Sequence, residues 1–183
     1  MSCAGTSLAG MNVSRLIAVC VFILVASCRV SLGQSIASCN GCCQPGNYKE
    51  ISDSRRSTKS VWEPGQTPLC DQTLEEGWYR FTSFVGGVMP TMMVKQNHCG
   101  TKAPIWLKEA HPATDVVKSV QACVNIFDRR GGCFYEFGMT VKNCNGKYYV
   151  YYLKPTYSCY IAYCAGKNLD ISNWFSTYFF YDP

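Results

Sequence analysis

The 183-residue sequence is short of the features that mark several common protein classes. Its longest apolar run, LIAVCVFILVA at 16–26, has eleven residues where a membrane span needs about 20. Histidine is scarce: His98 and His111 stand thirteen residues apart and give no second ligand pair for a structural zinc site. No glycine-rich phosphate loop occurs, and Gly86-Gly87 and Gly131-Gly132 read as turns. There is no internal repeat. Helix signals are poor, and the sole candidate, 115–127, is ambiguous because of its β-branched content. Charge is too mild for a nucleic-acid protein.

Cysteine, by contrast, is abundant, with thirteen copies. Arg15, the short apolar run and the small residues after it describe a secretory signal peptide. Ser31-Leu32-Gly33 predicts cleavage before Gln34, with cleavage after Ser27 as the rival. Removal of 1–33 takes away Cys3, Cys20 and Cys28, and Arg15 and Arg29 go with them. The mature chain then carries 15 Lys+Arg against 12 Asp+Glu, a net charge of +3. Ten cysteines remain: Cys39, Cys42, Cys43, Cys70, Cys99, Cys123, Cys133, Cys144, Cys159 and Cys164. An even count in a secreted chain of this length predicts a disulfide framework, whereas the rival site leaves a stray thiol.

The expected fold is a small all-β, disulfide-rich, loop-rich single domain. Residues 34–69 form an N-terminal cysteine cluster and a mobile segment, with SDSRRSTKS at 52–60 the most loop-like stretch. The main body spans 70–164, where Tyr, Phe, Val and Trp recur between turn signals. An aromatic tail occupies 165–183. The clearest local element is a hairpin about Asn145-Gly146, a type I′ dipeptide. A two-residue loop there pairs Cys144 with Lys147, Val141 with Val150 and Met139 with Tyr152. That register places Met139, Val141, Val150 and Tyr152 toward the core, and Thr140, Lys142, Tyr149 and Tyr151 outward.

Three site readings compete. Cys99 beside His98, with His111 and Asp115 downstream, has the components of a thiol nucleophile and base, but catalysis needs a free thiolate. In an oxidising compartment Cys99 reads as half of a bridge, and no enzyme activity is expected. His111, before Pro112, reads as structural or solvent-facing. The cluster Cys39/Cys42/Cys43 reads as disulfides rather than metal ligands, so neither metal nor cofactor is expected. Glu75 and Glu76, adjacent in sequence, would face opposite ways in a strand. Trp78, Tyr79, Phe81, Trp106, Tyr148 and Tyr152 read mostly as packing. The outward Tyr149 and Tyr151 are the expected surface for a partner.

GWYRF (77–81), GGVMPT (86–91), HCGTKAPIWL (98–107), His111-Pro112, QAC (121–123), TVKNC (140–144), YYVYYLKP (148–155) and AYC (162–164) occur in order. Together they resemble the eight-cysteine module of uromodulin and the pancreatic zymogen-granule membrane glycoprotein. The resemblance covers about 43–164. It implies an extracellular, non-enzymatic, mostly β recognition or matrix module. The seven cysteines from Cys70 to Cys164, plus Cys43 or Cys42, supply the eight. Members with ten cysteines carry one at the position of Met93 and another at that of Gly132, and their joint loss here implies that they pair. Relatives can carry a glycan in the WL…HP stretch, where this chain has Lys108-Glu109-Ala110. The only Asn-x-Ser/Thr here, Asn12-Val13-Ser14, lies in the signal, so a glycan-decoy role is not carried over. No polymerisation domain is expected after Cys164.

The function expected is that of a secreted cysteine-rich module binding extracellular protein or glycan partners. The alternative is a structural constituent of an extracellular or skeletal organic matrix. Within NWFSTYFFYDP (173–183), six of the eight residues from Trp174 to Tyr181 are aromatic. The stretch is too short and too interrupted for a glycolipid-anchor signal, so the mature chain is expected to lack a membrane anchor. The tail, including Trp174 and Phe175, is expected to pack back as a last strand or to mediate self-association or matrix docking.

Overall fold

Valine, isoleucine, threonine and the aromatics suit a pleated, half-buried surface, and they are concentrated where strands form. The computed structural model describes residues 37–128 and 130–166. The leader at 1–33, the cleavage site at Gln34 and the tail with Trp174 and Phe175 lie outside the described residues. Within those residues, seven strands form one mixed sheet: β1 (Lys49–Ile51), β2 (Gly77–Phe81), β3 (Ala103–Leu107), β4 (Val117–Val124), β5 (Tyr135–Cys144), β6 (Tyr148–Leu153) and β7 (Ile161–Tyr163). Their order is β1-β2-β6-β5-β4-β3-β7. The pairs β1/β2 and β3/β7 are parallel, and every other neighbouring pair is antiparallel. The protein is all-β and disulfide-rich, as the sequence predicts.

The segment 115–127, ambiguous as a helix, contains strand β4. Its β-branched residues are stiff at χ1 and fit the pleat better than a helix turn. Val120, Ala122 and Val124 alternate onto the face that meets Tyr79 and Phe81 of β2, Ile105 and Leu107 of β3, Met139 and Val141 of β5, and Leu153 of β6. Each buried Val or Leu here contributes about 1.5–3 kcal/mol. The sheet curls round this core. Phe137 on β5 meets Tyr163 on β7 edge to face, with ring centroids 6.5 Å apart, although two strands separate them.

The expected hairpin is present with a different register. Asn145 (φ 54°) and Gly146 (φ 69°) make the left-handed pair, and the Lys147 N–H donates to Cys144 O at 3.0 Å. Lys147 then stands outside the ladder, so Cys144 faces Tyr148, Lys142 faces Val150 and Val141 faces Tyr151. One added residue in the loop exchanges the two faces of β6. The loop is also held from outside the hairpin. Asn143 Oδ1 accepts from Gly146 N–H at 2.9 Å, and Asp115 Oδ1 accepts from Asn145 N–H at 3.0 Å.

The stretch 52–60, expected as a mobile loop, is instead anchored by one of its arginines. Arg56 is buried, and its Nη1 and Nη2 donate to Asp71 Oδ2 (2.7 Å) and Oδ1 (2.6 Å). Nη1 also donates to Tyr163 O at 3.0 Å, while Asp71 Oδ2 accepts from Tyr163 N–H at 2.8 Å. β7 ends the sheet, and this ion pair occupies backbone groups that an edge strand would otherwise leave open. The guanidinium carbon also lies 6.0 Å from the Phe81 ring on β2, so one side chain spans the mouth of the curl.

Candidate binding surface

The cysteines lie mainly on the opposite face of the sheet from the aliphatic core. All ten are bonded: Cys39–Cys42, Cys43–Cys144, Cys70–Cys159, Cys99–Cys164 and Cys123–Cys133. Cys43, not Cys42, therefore joins the seven later cysteines to make the eight. Trp106 points out of β3 to pack with Cys99, Cys123 and Cys164, and its Nε1 donates to Gly132 O at 2.9 Å. Cys99 in a disulfide has no thiolate to offer. Cys123, Cys133 and Glu136 also bring three ligand-type atoms within 4.8 Å, yet the two sulfurs are bonded to each other and Glu136 pairs with Lys108 at 2.5 Å. The positions where ten-cysteine relatives carry the extra pair are in contact, because a Cβ on Gly132 would run into the Met93 side chain.

The expected surface at Tyr149 and Tyr151 is corrected by the register. Tyr151 is fully buried and Tyr149 half-buried. Tyr151 Oη accepts from Met89 N–H at 3.1 Å and lies 3.0 Å from His111 Nε2. His111 also packs on the Tyr149 ring at 4.4 Å between centroids. Burial lowers its pKa to about 4, and burial raises that of the Tyr151 hydroxyl. A neutral imidazole accepting from a protonated phenol satisfies both groups. His111 is thus a structural part of the core rim, and Cys99 sits in the separate cluster with Trp106.

The large exposed apolar side chains lie elsewhere. Phe127 is 58% exposed and Phe134 47%, with their rings edge to face at 6.5 Å. The loop that carries Phe127 is closed at its base by Cys123–Cys133 and by the Phe134 N–H donating to Val124 O at 2.9 Å. Inside it, the buried Asn125 donates to Val94 O and to Asp128 Oδ1, both at 2.7 Å, and accepts from Asp128 N–H at 3.1 Å. This network holds Phe127 and Asp128 at φ 68° and 48°. A bulky residue in that region is strained by about 1–3 kcal/mol and persists only where its surroundings enforce it. Tyr135 and Tyr157, both exposed, meet edge to face at 5.9 Å. Composition alone does not separate such aromatics from core ones. The one available signal is the spacing of Asn125 and Asp128, both of which favour tight side-chain-to-backbone turns.

A curled β-sheet stapled on one face by disulfides, with apolar side chains held outward on a rigid loop, defines the class: a disulfide-bonded, non-helical recognition module. Sequence comparison gives the family. A family model for the uromodulin-like cysteine-rich domain matches residues 79–165. The chain is 36% identical over 135 residues to the mouse (Mus musculus) pancreatic secretory granule membrane major glycoprotein GP2, covering 69% of this chain and 24% of that protein. It is 36% identical over 121 residues to human (Homo sapiens) GP2, covering 65% and 21%. It is 35% identical over 126 residues to rat (Rattus norvegicus) uromodulin, covering 68% and 18%. The chain belongs to the uromodulin/GP2 family. It spans about a quarter or less of the length of these relatives.

Proposed function

We propose that the protein is a secreted, non-enzymatic extracellular module whose task is to bind a protein or glycan partner. The observation that carries this reading is the Phe127–Phe134 pair, two large apolar rings displayed on a loop locked by a disulfide and a buried polar network. Burial of such rings in a partner is favourable, and a pre-ordered loop avoids the entropic cost of fixing it on binding. Ten cysteines in five bridges fit an oxidising extracellular compartment and leave no free thiol among the described residues for nucleophilic chemistry. The test is a paired capture from the extracellular fraction of the source tissue, using the native chain and the Phe127→Ser/Phe134→Ser variant. The native chain is expected to retain a saturable partner that the variant loses, with unchanged melting temperature. Equal capture by both, or none by either, removes the support for this surface.

A further inference from the structure

We propose that the groove between the 60–67 segment and Gly100 is a binding site for a neutral sugar of one or two residues, distinct from the Phe127–Phe134 surface. It encloses about 530 Å³ and is lined chiefly by Arg55, Ser60, Trp62, Gln66, Thr67 and Gly100. That volume falls within the roughly 300–1,000 Å³ of small-ligand sites. The inference deepens the proposed binding role by naming a ligand class, and it rests on that reading only in so far as glycans are among the partners.

Its walls are fixed by the backbone. Trp62 N–H donates to Asn97 O at 2.7 Å, Leu69 N–H to Gly100 O at 2.8 Å, and Gly100 N–H to Ser60 O at 3.3 Å. Glu63-Pro64-Gly65-Gln66 forms a turn with Pro second and Gly third, and Gly65 has φ 98°. The turn is closed by Gln66 N–H to Glu63 O at 3.1 Å. Trp62 Nε1 donates to Gln66 O at 2.9 Å, which sets the plane of the indole against the turn. On its other side Tyr160 meets it edge to face at 6.5 Å. Gly100, at φ 64°, forms the floor, and a Cβ there would lie 2.9 Å from Arg55 Cβ and 3.0 Å from Arg55 O.

Around this half-buried indole stand polar groups without partners among the described residues: Ser60 Oγ, Thr67 Oγ1 and Gln66 Nε2. Gln66 Oε1 is already taken by Glu63 N–H at 3.1 Å, so the amide is oriented with its donors free. Arg55 turns Nε and Nη2 to Asp53, at 3.1 and 2.6 Å, and leaves Nη1 unpaired. Asp53 neutralises the guanidinium, so the groove offers hydrogen bonds without a net anion-attracting charge. A flat apolar ring edged by fixed hydroxyl and amide groups complements a pyranose, which has an apolar C–H face and a rim of hydroxyls. A phosphate, sulfate or sialate would require a cation that Asp53 has already engaged.

The test uses the full secreted chain with lactose, maltose, cellobiose and chitobiose as probes, and sialyllactose and a sulfated disaccharide as charged controls. Binding is read by tryptophan fluorescence and by the indole N–H resonance assigned with Trp62→Phe. At least one neutral disaccharide is expected to saturate in the millimolar range or tighter and to shift that resonance. Gln66→Ala and Thr67→Ala, at exposed positions, are expected to weaken binding by about 2–10-fold each without changing the melting temperature. The proposal is overturned if no neutral sugar saturates at tens of millimolar, if only the charged probes bind, or if affinity is the same in both alanine variants. If the sugars fail while the Phe127/Phe134-dependent partner is still captured, this inference falls and the binding role stands.

Discussion

On the core face of the sheet β4 presents Val120, Ala122 and Val124, and one residue out of step, on the other face, it presents Cys123. β3 does the same, with Ile105 and Leu107 inward and Trp106 outward against Cys99, Cys123 and Cys164. The main core cluster has sixteen buried members and no cysteine, so aliphatic burial suffices there. The outer face gathers two smaller clusters, one round Trp106 and one round Val150, and both contain disulfides. A patch of that size buries too little apolar surface to hold loops by itself, and covalent closure supplies what packing lacks. The two faces should therefore fail under different perturbations, the inner one to cavities and lost ion pairing, the outer one to reduction.

The largest effect is expected where the core face closes. Asp71→Ala leaves the Arg56 guanidinium buried without its carboxylate and frees the Tyr163 N–H. A loss of about 3–5 kcal/mol is expected by denaturant unfolding. A loss below about 1 kcal/mol would show that the Arg56–Asp71 pair does not hold the edge.

Next come the staples of the outer face, where loop length sets the order. Cys99–Cys164 closes 65 residues of separation and Cys39–Cys42 only 3. Loop-entropy scaling gives about 4 kcal/mol for the first and about 1.6 kcal/mol for the second. Replacing each pair by serine should reproduce that ranking in thermal melts. Leu153→Ala, on the core face, should lose about 2–5 kcal/mol even with every bridge intact.

A smaller effect tests the rim between the faces. His111 has its pKa lowered to about 4 by burial. A lowered histidine pKa favours the neutral form in the folded state, so its contribution is fully present above about pH 6.5 and is lost as pH falls toward 4. The loss should amount to about 1–3 kcal/mol after allowance for partial exposure. His111→Gln should flatten the stability profile between pH 6.5 and pH 4. A native profile that is already flat would refute the buried, neutral imidazole.

The smallest effect sharpens the comparison rather than breaking it. Met93→Cys/Gly132→Cys should form a sixth disulfide, seen as a mass loss of two hydrogens by intact mass spectrometry. Its net gain should be below about 2 kcal/mol, because the new Cys would sit at the left-handed φ of 74° that Gly132 holds.

Much of the fold was legible because its determinants are local. The β-branched and aromatic runs specified strands, Asn145-Gly146 specified a left-handed turn, and the cysteine count specified bridges. The candidate surface was less legible. Tyr149 and Tyr151 alternate correctly along β6, but which face is inward depends on whether Lys147 belongs to the ladder. That was decided by Asn143 and Asp115 reaching the loop from side chains, one of them thirty positions away.

By itself the sequence determined an all-β chain, a disulfide framework and the family, since propensity, turn chemistry and ordered motifs are properties of neighbouring residues. Tertiary structure alone decided the pairing of the ten cysteines, the burial of Arg56 with Asp71, the neutral His111 beside Tyr151 and the display of Phe127. Each of these depends on contacts between segments distant in the chain, and on where the curled sheet leaves water in or shuts it out.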